Sequence, residues 1–228
     1  MKNIFLKTAA LTICLASPLV QSAPVNWTNW TSSDLASANG TMGSVAVNFG
    51  GSLQFAQLAA GSMVGSGAGA NTNYWTEGSP APYTGNAVVD NAPTAYELLA
   101  FNGFSTNTIT FDQVVINPLM AIVSQGQAGL PVTYDFDQSF TVLGEGRGYW
   151  GDGTYTLGAG DQLIGRELHG VIQFQGAFTE LSWTSTQENW HGFTIGMVQP
   201  QTSVDEPVTL SLLGLGLLGL AAARRRKA

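Results

Sequence analysis

From Asn107 onward the apolar residues fall on every second position. Ile109 and Phe111 share one face, Val132, Tyr134 and Phe136 alternate with Thr133, Asp135 and Asp137, and the pairs Ile172 with Phe174 and Leu181 with Trp183 repeat the pattern. Phe193, Ile195 and Met197 close it. A period of two belongs to strands whose alternate side chains face a core, so each run predicts a strand. Residues 120–124 lack alternation and are apolar almost throughout, as expected of a central strand covered on both faces. Glycine-rich turns at 144–153 and 158–160 separate the runs.

The first half carries the same signal more weakly. Trp27, Trp30 and the runs at 45–49 and 53–55, set between Gly40, Gly43, Gly50 and Gly51, predict short strands between glycine turns. Residues 61–82 are Gly, Ala, Ser, Asn and Pro with almost no period, which predicts a long surface loop. Its bulky groups, with the flanking Tyr83, are Tyr74 and Trp75, and burial that pins the loop is favoured over exposure that stacks on sugars. Residues 94–101, with Glu97, fit either a helical turn or a strand. Short strands about 8–12 residues apart, without long helices, predict an all-β chain: a single β-sandwich with jelly-roll-like connections over 23–203.

Both ends depart from this pattern. Lys2 and Lys7 precede an apolar stretch at 8–20, the layout of a secretory signal peptide at 1–22 with cleavage after Ser22. Residues 208–223 form an uncharged run of sixteen, with leucines on all sides rather than on one helical face. As a helix it is about 24 Å long at ~1.5 Å per residue, enough for a single transmembrane helix that just spans. Arg224, Arg225, Arg226 and Lys227 follow as membrane-stop cations, which the positive-inside tendency places in the cytoplasm with the domain outside.

Removing the two ends sharpens the charge balance. The region 23–203 keeps two cations, Arg147 and Arg166, against thirteen carboxylates, a net charge of −11. Such a surface repels phosphate backbones, so nucleic-acid binding is excluded. The sole cysteine, Cys14, leaves with the signal peptide, so disulfides, thiolate metal sites and a cysteine nucleophile are excluded too.

The sequence Val204-Asp205-Glu206-Pro207-Val208-Thr209-Leu210, the Leu/Gly-rich apolar run and the terminal arginines resemble the PEP-CTERM sorting tail of exported bacterial proteins. Asp205 stands where the family has its first proline. The resemblance implies that Asp205, Glu206 and Pro207 form a motif read by a membrane-embedded exosortase-type processing enzyme. It also implies an exported protein, transiently anchored at 204–228 and then held at the cell surface or in an extracellular polysaccharide matrix. Residues 108–197, with Asn117-Pro118-Leu119-Met120, Pro131-Val132-Thr133-Tyr134-Asp135-Phe136 and Glu188-Asn189-Trp190-His191-Gly192-Phe193, resemble the β-sandwich domain of a subset of these proteins. No defined activity accompanies that resemblance.

The chemistry on offer is sparse. No serine elbow of the Gly-x-Ser-x-Gly type occurs, and His169 and His191, the only histidines, open strand-like runs where a structural role is usual. Neither a third strong ligand nor His-Glu-x-x-His supports zinc. Glu145, Asp152, Glu180 and Glu188 could supply a glycosidase pair, as in any acidic sandwich, so a non-enzymatic chain with no cofactor is expected. Calcium would draw on Asp135 with Asp137 or on Glu145 with Asp152, without a recognised loop spacing. Tyr149 and Trp150, in a glycine-rich turn beside Asp152, form the candidate platform for extracellular polysaccharide, whereas Trp183 and Trp190 are assigned to the core. The leading expectation is a structural or interaction domain, with a glycan-binding module as its alternative and a glycoside-active enzyme behind both.

Overall fold

The computed structural model describes residues 24–199 except 68 and 70. The expected signal peptide, the sorting motif, the apolar run and the terminal cations lie outside the described residues. Among those described, no helix is long and apolar enough to cross a membrane.

The chain is all-β and builds two antiparallel sheets of eight strands each. In the first, the order is Phe140–Glu145, Leu168–Phe174, Leu119–Gln125, His191–Val198, Leu98–Phe101, Phe55–Leu58 and Ser62–Gly65, with Val25–Trp27 added along His191–Val198. The second runs Thr154–Leu157, Gln162–Arg166, Val132–Phe136, Ala177–Ser185, Ser105–Ile116, Val45–Gly50, Ser37–Met42 and Asn29–Ser33. Four of the pairings are nested. Thr154–Leu157 with Gln162–Arg166 is innermost, then Phe140–Glu145 with Leu168–Phe174, Val132–Phe136 with Ala177–Ser185, and Leu119–Gln125 with His191–Val198. The second half of the chain is thus a doubled ribbon that crosses between the sheets at each step.

The inner faces of the two sheets share one apolar core. Phe49 and Trp183 of the second sheet meet Phe193 of the first, with ring centroids 5.6 and 5.1 Å apart, and Phe136 lies 5.1 Å from Phe174. Tilted and edge-on contacts of this kind add to the burial itself. The alternation read from the sequence is met at these positions: Val132, Tyr134 and Phe136 are buried, and Asp135 and Asp137 are exposed.

A second apolar cluster covers the outer face of the first sheet. This explains the unbroken burial of Leu119–Gln125, whose Met120 and Ile122 face the inner core while Leu119, Ala121 and Val123 join the outer cluster. Leu98–Phe101 is likewise a fully buried strand, with Leu99 and Phe101 inward and Leu98 and Ala100 outward, so the helical alternative for that stretch does not hold. The outer cover comes from the aperiodic segment that follows Ser62–Gly65. Tyr74, Trp75 and Tyr83 are all buried, the pinning role favoured above. Glu77 closes the segment by accepting the N–H groups of Tyr83 and Thr84, both at 2.8 Å, and the Thr84 hydroxyl at 3.0 Å. The segment is therefore irregular yet packed, and the strand before it, Ser62–Gly65, falls within the loop expected at 61–82 and is too short to show a period in the sequence.

The N-terminal strand changes sheets at Thr28, whose N–H and hydroxyl both donate to the Ile195 carbonyl at 2.8 Å. Beyond it, the Trp30 N–H donates to Glu97 Oε2 at 2.7 Å, and the Trp30 indole donates to Thr194 Oγ at 3.1 Å. Burial raises the Glu97 carboxyl to about 7, and the hydrogen bond from Trp30 offsets only part of that rise. A carboxyl raised on folding binds its proton more tightly in the native state, so stability falls as pH climbs from the unfolded value towards 7. Glu97→Gln keeps an oxygen for the Trp30 N–H and removes the charge. Urea unfolding should find this variant more stable than the parent by about 1–3 kcal/mol at pH 8 and equal to it near pH 4. Equal stability at both pH values would show that Glu97 is not held protonated by the fold.

Candidate functional site

One concavity, about 500 Å³, lies at the ends of neighbouring strands in the first sheet, within the range of about 300–1,000 Å³ common for small-ligand sites. Trp150 and Trp190 form its aromatic walls, Ser124, Glu167 and Glu188 supply its polar groups, and Gln127 and Asn189 stand with them. These residues come from three connections. The chain leaves Leu119–Gln125, passes between Gln162–Arg166 and Leu168–Phe174, and enters His191–Val198, all near one point.

Backbone irregularity aims the polar groups. Leu168 pairs with Gln125 but Gly170 pairs with Ile122, so the Leu119–Gln125 strand carries one extra residue, a β-bulge of the sort that redirects a side chain. Ser124 at φ 57° and Glu167 at φ 62° both adopt the left-handed conformation, which is costly for residues with a side chain. Their side chains meet, the Ser124 hydroxyl donating to Glu167 Oε1 at 2.5 Å. Gly126, at φ 80°, turns the chain so tightly that a Cβ would strike the Gly165 carbonyl. This turn aims the Gly126 N–H at Glu188 Oε1, 2.6 Å away.

The carboxylates differ in their partners. Glu188 Oε1 accepts from Gly126 and also lies 2.9 Å from His191 Nδ1; a carboxylate oxygen can only accept, which assigns the proton to Nδ1. Glu188 is 5 % exposed, and its Oε2 has no protein partner. Burial lifts the Glu167 carboxyl above the usual range, the Ser124 hydroxyl pulls it back, and the nearby Glu188 charge lifts it again. Burial holds His169 down at about 4 and also lowers His191, although Glu188 opposes the latter shift. Both histidines are thus neutral near pH 7, and among the described residues no arginine or lysine lines the cavity.

The aromatic wall is part of a larger cluster. Trp190 packs edge-on against Phe55 at 5.5 Å and Tyr74 at 5.0 Å; Tyr74 meets Tyr149 at 4.9 Å, and Tyr149 meets Trp150 at 5.0 Å. Tyr149 and Trp150 sit at the tip of a small ribbon, Arg147–Gly148 with Gly151–Asp152, and remain 41 % and 52 % exposed. The covering segment holds that ribbon. Gly78 N–H donates to the Arg147 carbonyl at 2.7 Å, and Arg147 N–H donates to the Pro80 carbonyl at 2.9 Å. Beneath the ribbon, Gly148 lies flat on the buried His169 ring, where any Cβ would collide with it.

Of the residues expected to bind glycan, Trp150 lines the cavity and Tyr149 supports it from the side. Asp152 is not in the wall; it pairs with Arg147 at 3.7 Å on the surface, where such a pair adds little stability. Trp190, assigned to the core beside Trp183, is instead half-buried on the cavity wall. It falls, with Val198, on the outward-facing set of the strand it precedes and packs partly buried against the outer cluster, so only its free face reaches the cavity. Glu188 belongs to the site, whereas Glu145 and Glu180 do not. Nothing in the spacing of Ser124 and Glu167 announces a bulge or a left-handed residue, so the sequence carries no signal for their role here.

Asp135 and Asp137, considered for calcium, line a separate shallow depression of about 330 Å³. Their carboxylates already accept hydrogen bonds, from Gln162 Nε2 at 3.1 Å and from the Ser182 N–H at 3.0 Å. Among the described residues no three His, Cys, Asp or Glu side chains gather closely enough to hold a metal. No family model, no curated protein and no solved structure matches the chain.

Because Gly148 and His169 are in contact without space between them, Gly148→Ala should cost about 1–3 kcal/mol and loosen the ribbon that carries Trp150. Chemical denaturation measures the first effect and Trp150 fluorescence anisotropy the second. An unchanged midpoint with unchanged anisotropy would mean that the ribbon is not seated on His169.

Proposed function

We propose that this is an exported, cell-surface or matrix-associated protein whose β-sandwich binds extracellular polysaccharide, without catalysis, at the cavity bordered by Trp150 and Trp190, whose rings meet edge-on at 6.4 Å. The observation that carries the reading is a concavity bordered by the exposed Trp150 and the half-buried Trp190 that also presents a carboxylate and amides. Sugars offer apolar ring faces and a rim of hydroxyls, so a site for them pairs aromatic faces with hydrogen-bonding side groups. A purely structural domain has no need to leave Trp150 half in water beside partly unpaired polar groups.

Export and anchoring rest on the sequence. The charged, apolar and small-residue order of 1–22 supports secretion, and Asp205-Glu206-Pro207, the apolar helix and the terminal cations support sorting by an exosortase-type enzyme. Membrane contact is through that helix alone, and nucleic acid is not a partner of so acidic a domain. The nested strand pairing supports jelly-roll-like winding.

Affinity electrophoresis through polysaccharide from the producing cells should retard the purified protein, and Trp150→Ala or Trp190→Ala should weaken that retention about tenfold or more, roughly 1.4 kcal/mol. Mobility unaltered by any polysaccharide would remove the binding role. Release of reducing sugar that stops in Glu167→Gln or Glu188→Gln would replace it with glycoside hydrolysis.

A further inference from the structure

Three connections meet at the end of the sandwich that holds the cavity. Phe101 pairs with His191, Ser105 with Ser185, Tyr134 with Ser185 and Leu168 with Gln125, so residues 102–104, 126–131 and 186–190 all lie at that end. The buried Glu188 fastens them to one another. Its N–H donates to the Asn102 carbonyl at 3.0 Å, and its Oε1 accepts the Gly126 N–H at 2.6 Å. Two residues earlier, Thr186 Oγ1 accepts the Thr133 N–H at 2.9 Å. The end of the sandwich is therefore a fixed surface rather than three independent loops.

This surface leaves apolar groups in water. The exposed aromatic side chains among the described residues are Phe104, Tyr149 and Trp150, and all three are here, together with the exposed Leu130. Phe104, at 75 % exposure, is the barest of them. It stands on the three-residue connection between Leu98–Phe101 of the first sheet and Ser105–Ile116 of the second. There it borders a shallow depression of about 290 Å³ that Thr106, Thr184 and Thr186 also line. Gln187 and Asn189 are exposed on the connection that leads from this depression to the cavity, and Asn189 belongs to the cavity wall. From Thr186 to Trp190 is four residues, at most about 14 Å of fully extended chain. The depression and the cavity are thus neighbouring parts of one surface.

The three connections carry one charged residue, Glu188, and it is sealed inside. What they show to solvent is amides, hydroxyls and rings. Amides and hydroxyls both donate and accept hydrogen bonds, and an exposed ring offers a face whose covering returns hydrophobic free energy. From this we infer that the carbohydrate site crosses the end of the sandwich from the cavity to Phe104, and that its ligand is an uncharged linear polysaccharide held along an internal stretch of several sugar units. The inference rests on the carbohydrate reading and extends it. A single sugar, or a chain end, fills the cavity alone and never meets Phe104. A polymer of uronic acids is repelled by a domain with two cations and thirteen carboxylates. Because Glu188 has already fixed the connections, a long chain gains contacts without the cost of ordering loops.

The test is isothermal titration of the purified protein with fragments of polysaccharide from the producing cells: neutral disaccharides, neutral octasaccharides and octasaccharides that bear uronic acids. The neutral octasaccharide should bind at least tenfold more tightly than the neutral disaccharide. Phe104→Ala should lower that ratio below about threefold and leave the disaccharide affinity unchanged, since Phe104 is outside the cavity wall and its exposure lets it be removed without unfolding the chain. Trp150→Ala should weaken both fragments. Ile116→Ala removes another exposed apolar group, at the opposite end of the strand that follows Phe104, and should change neither. A parent ratio near one would confine the site to the cavity and overturn the extension while carbohydrate binding stands. A ratio that survives Phe104→Ala, or that falls as far in Ile116→Ala, would overturn it equally. Uronic-acid fragments that bind as tightly as neutral ones would overturn the preference for an uncharged chain. Failure of every fragment to bind would overturn both readings together.

Discussion

Everything in this molecule depends on one sheet being buried on both faces. Its inner face meets the second sheet in an aromatic core, and its outer face is roofed by the segment that carries Tyr74, Trp75 and Tyr83. Leu119–Gln125 lies in the middle and contributes to both clusters. Fully burying an apolar side chain contributes about 1.5–3 kcal/mol, so three aromatic rings offset part of what ordering the irregular backbone costs, and the hydrogen bonds to Glu77 add to them. With no disulfide available, this packing is what fixes the covering segment in place. The Arg147–Gly148 and Gly151–Asp152 ribbon then leans on that segment through Gly78 and Pro80, and the ribbon presents Trp150. The Trp150 side of the cavity is thus an indirect product of core packing, whereas Ser124 comes from the central strand itself.

How far the sequence reveals this differs from element to element. The second-half strands are legible because one polar face and one apolar face give a period of two, as at Val132, Tyr134 and Phe136. Leu119–Gln125 is legible for the opposite reason, since burial on both faces removes the period and leaves an apolar run. Leu98–Phe101 is ambiguous because four buried residues in a row suit a short strand as well as a helical turn. Within the site, Trp150 is legible as an aromatic in a glycine-rich turn. Trp190 is not, because it packs against the outer cluster on the same face as Val198 and so carries the signal of a buried strand residue. Ser124 and Glu167 depend on a bulge and on left-handed backbone, which are set by long-range pairing of Leu119–Gln125 with Leu168–Phe174 rather than by local composition.

Charge links the site to the rest of the chain. A domain with two arginines and thirteen carboxylates has few cations with which to neutralise a buried acid, and the two it has lie elsewhere. A buried carboxylate in such a background is normally held by hydrogen bonds, as Glu188 Oε1 is by Gly126 and His191. The other oxygen has no such partner and is sealed beneath the cavity that the two tryptophans border. Acidity and an aromatic wall coincide at one place, which is the physical basis for treating that place as the point of contact with a ligand.

The measurement closest to the central claim is a set of NMR spectra of the indole N–H signals of the six tryptophans as a saccharide oligomer is added. The account predicts that the Trp150 and Trp190 signals move together and saturably, while those of Trp30 and Trp183, sealed in the inner core, stay where they are. Signals that all remain fixed, or that move at Trp27 or Trp75 but not at Trp150 and Trp190, would contradict it.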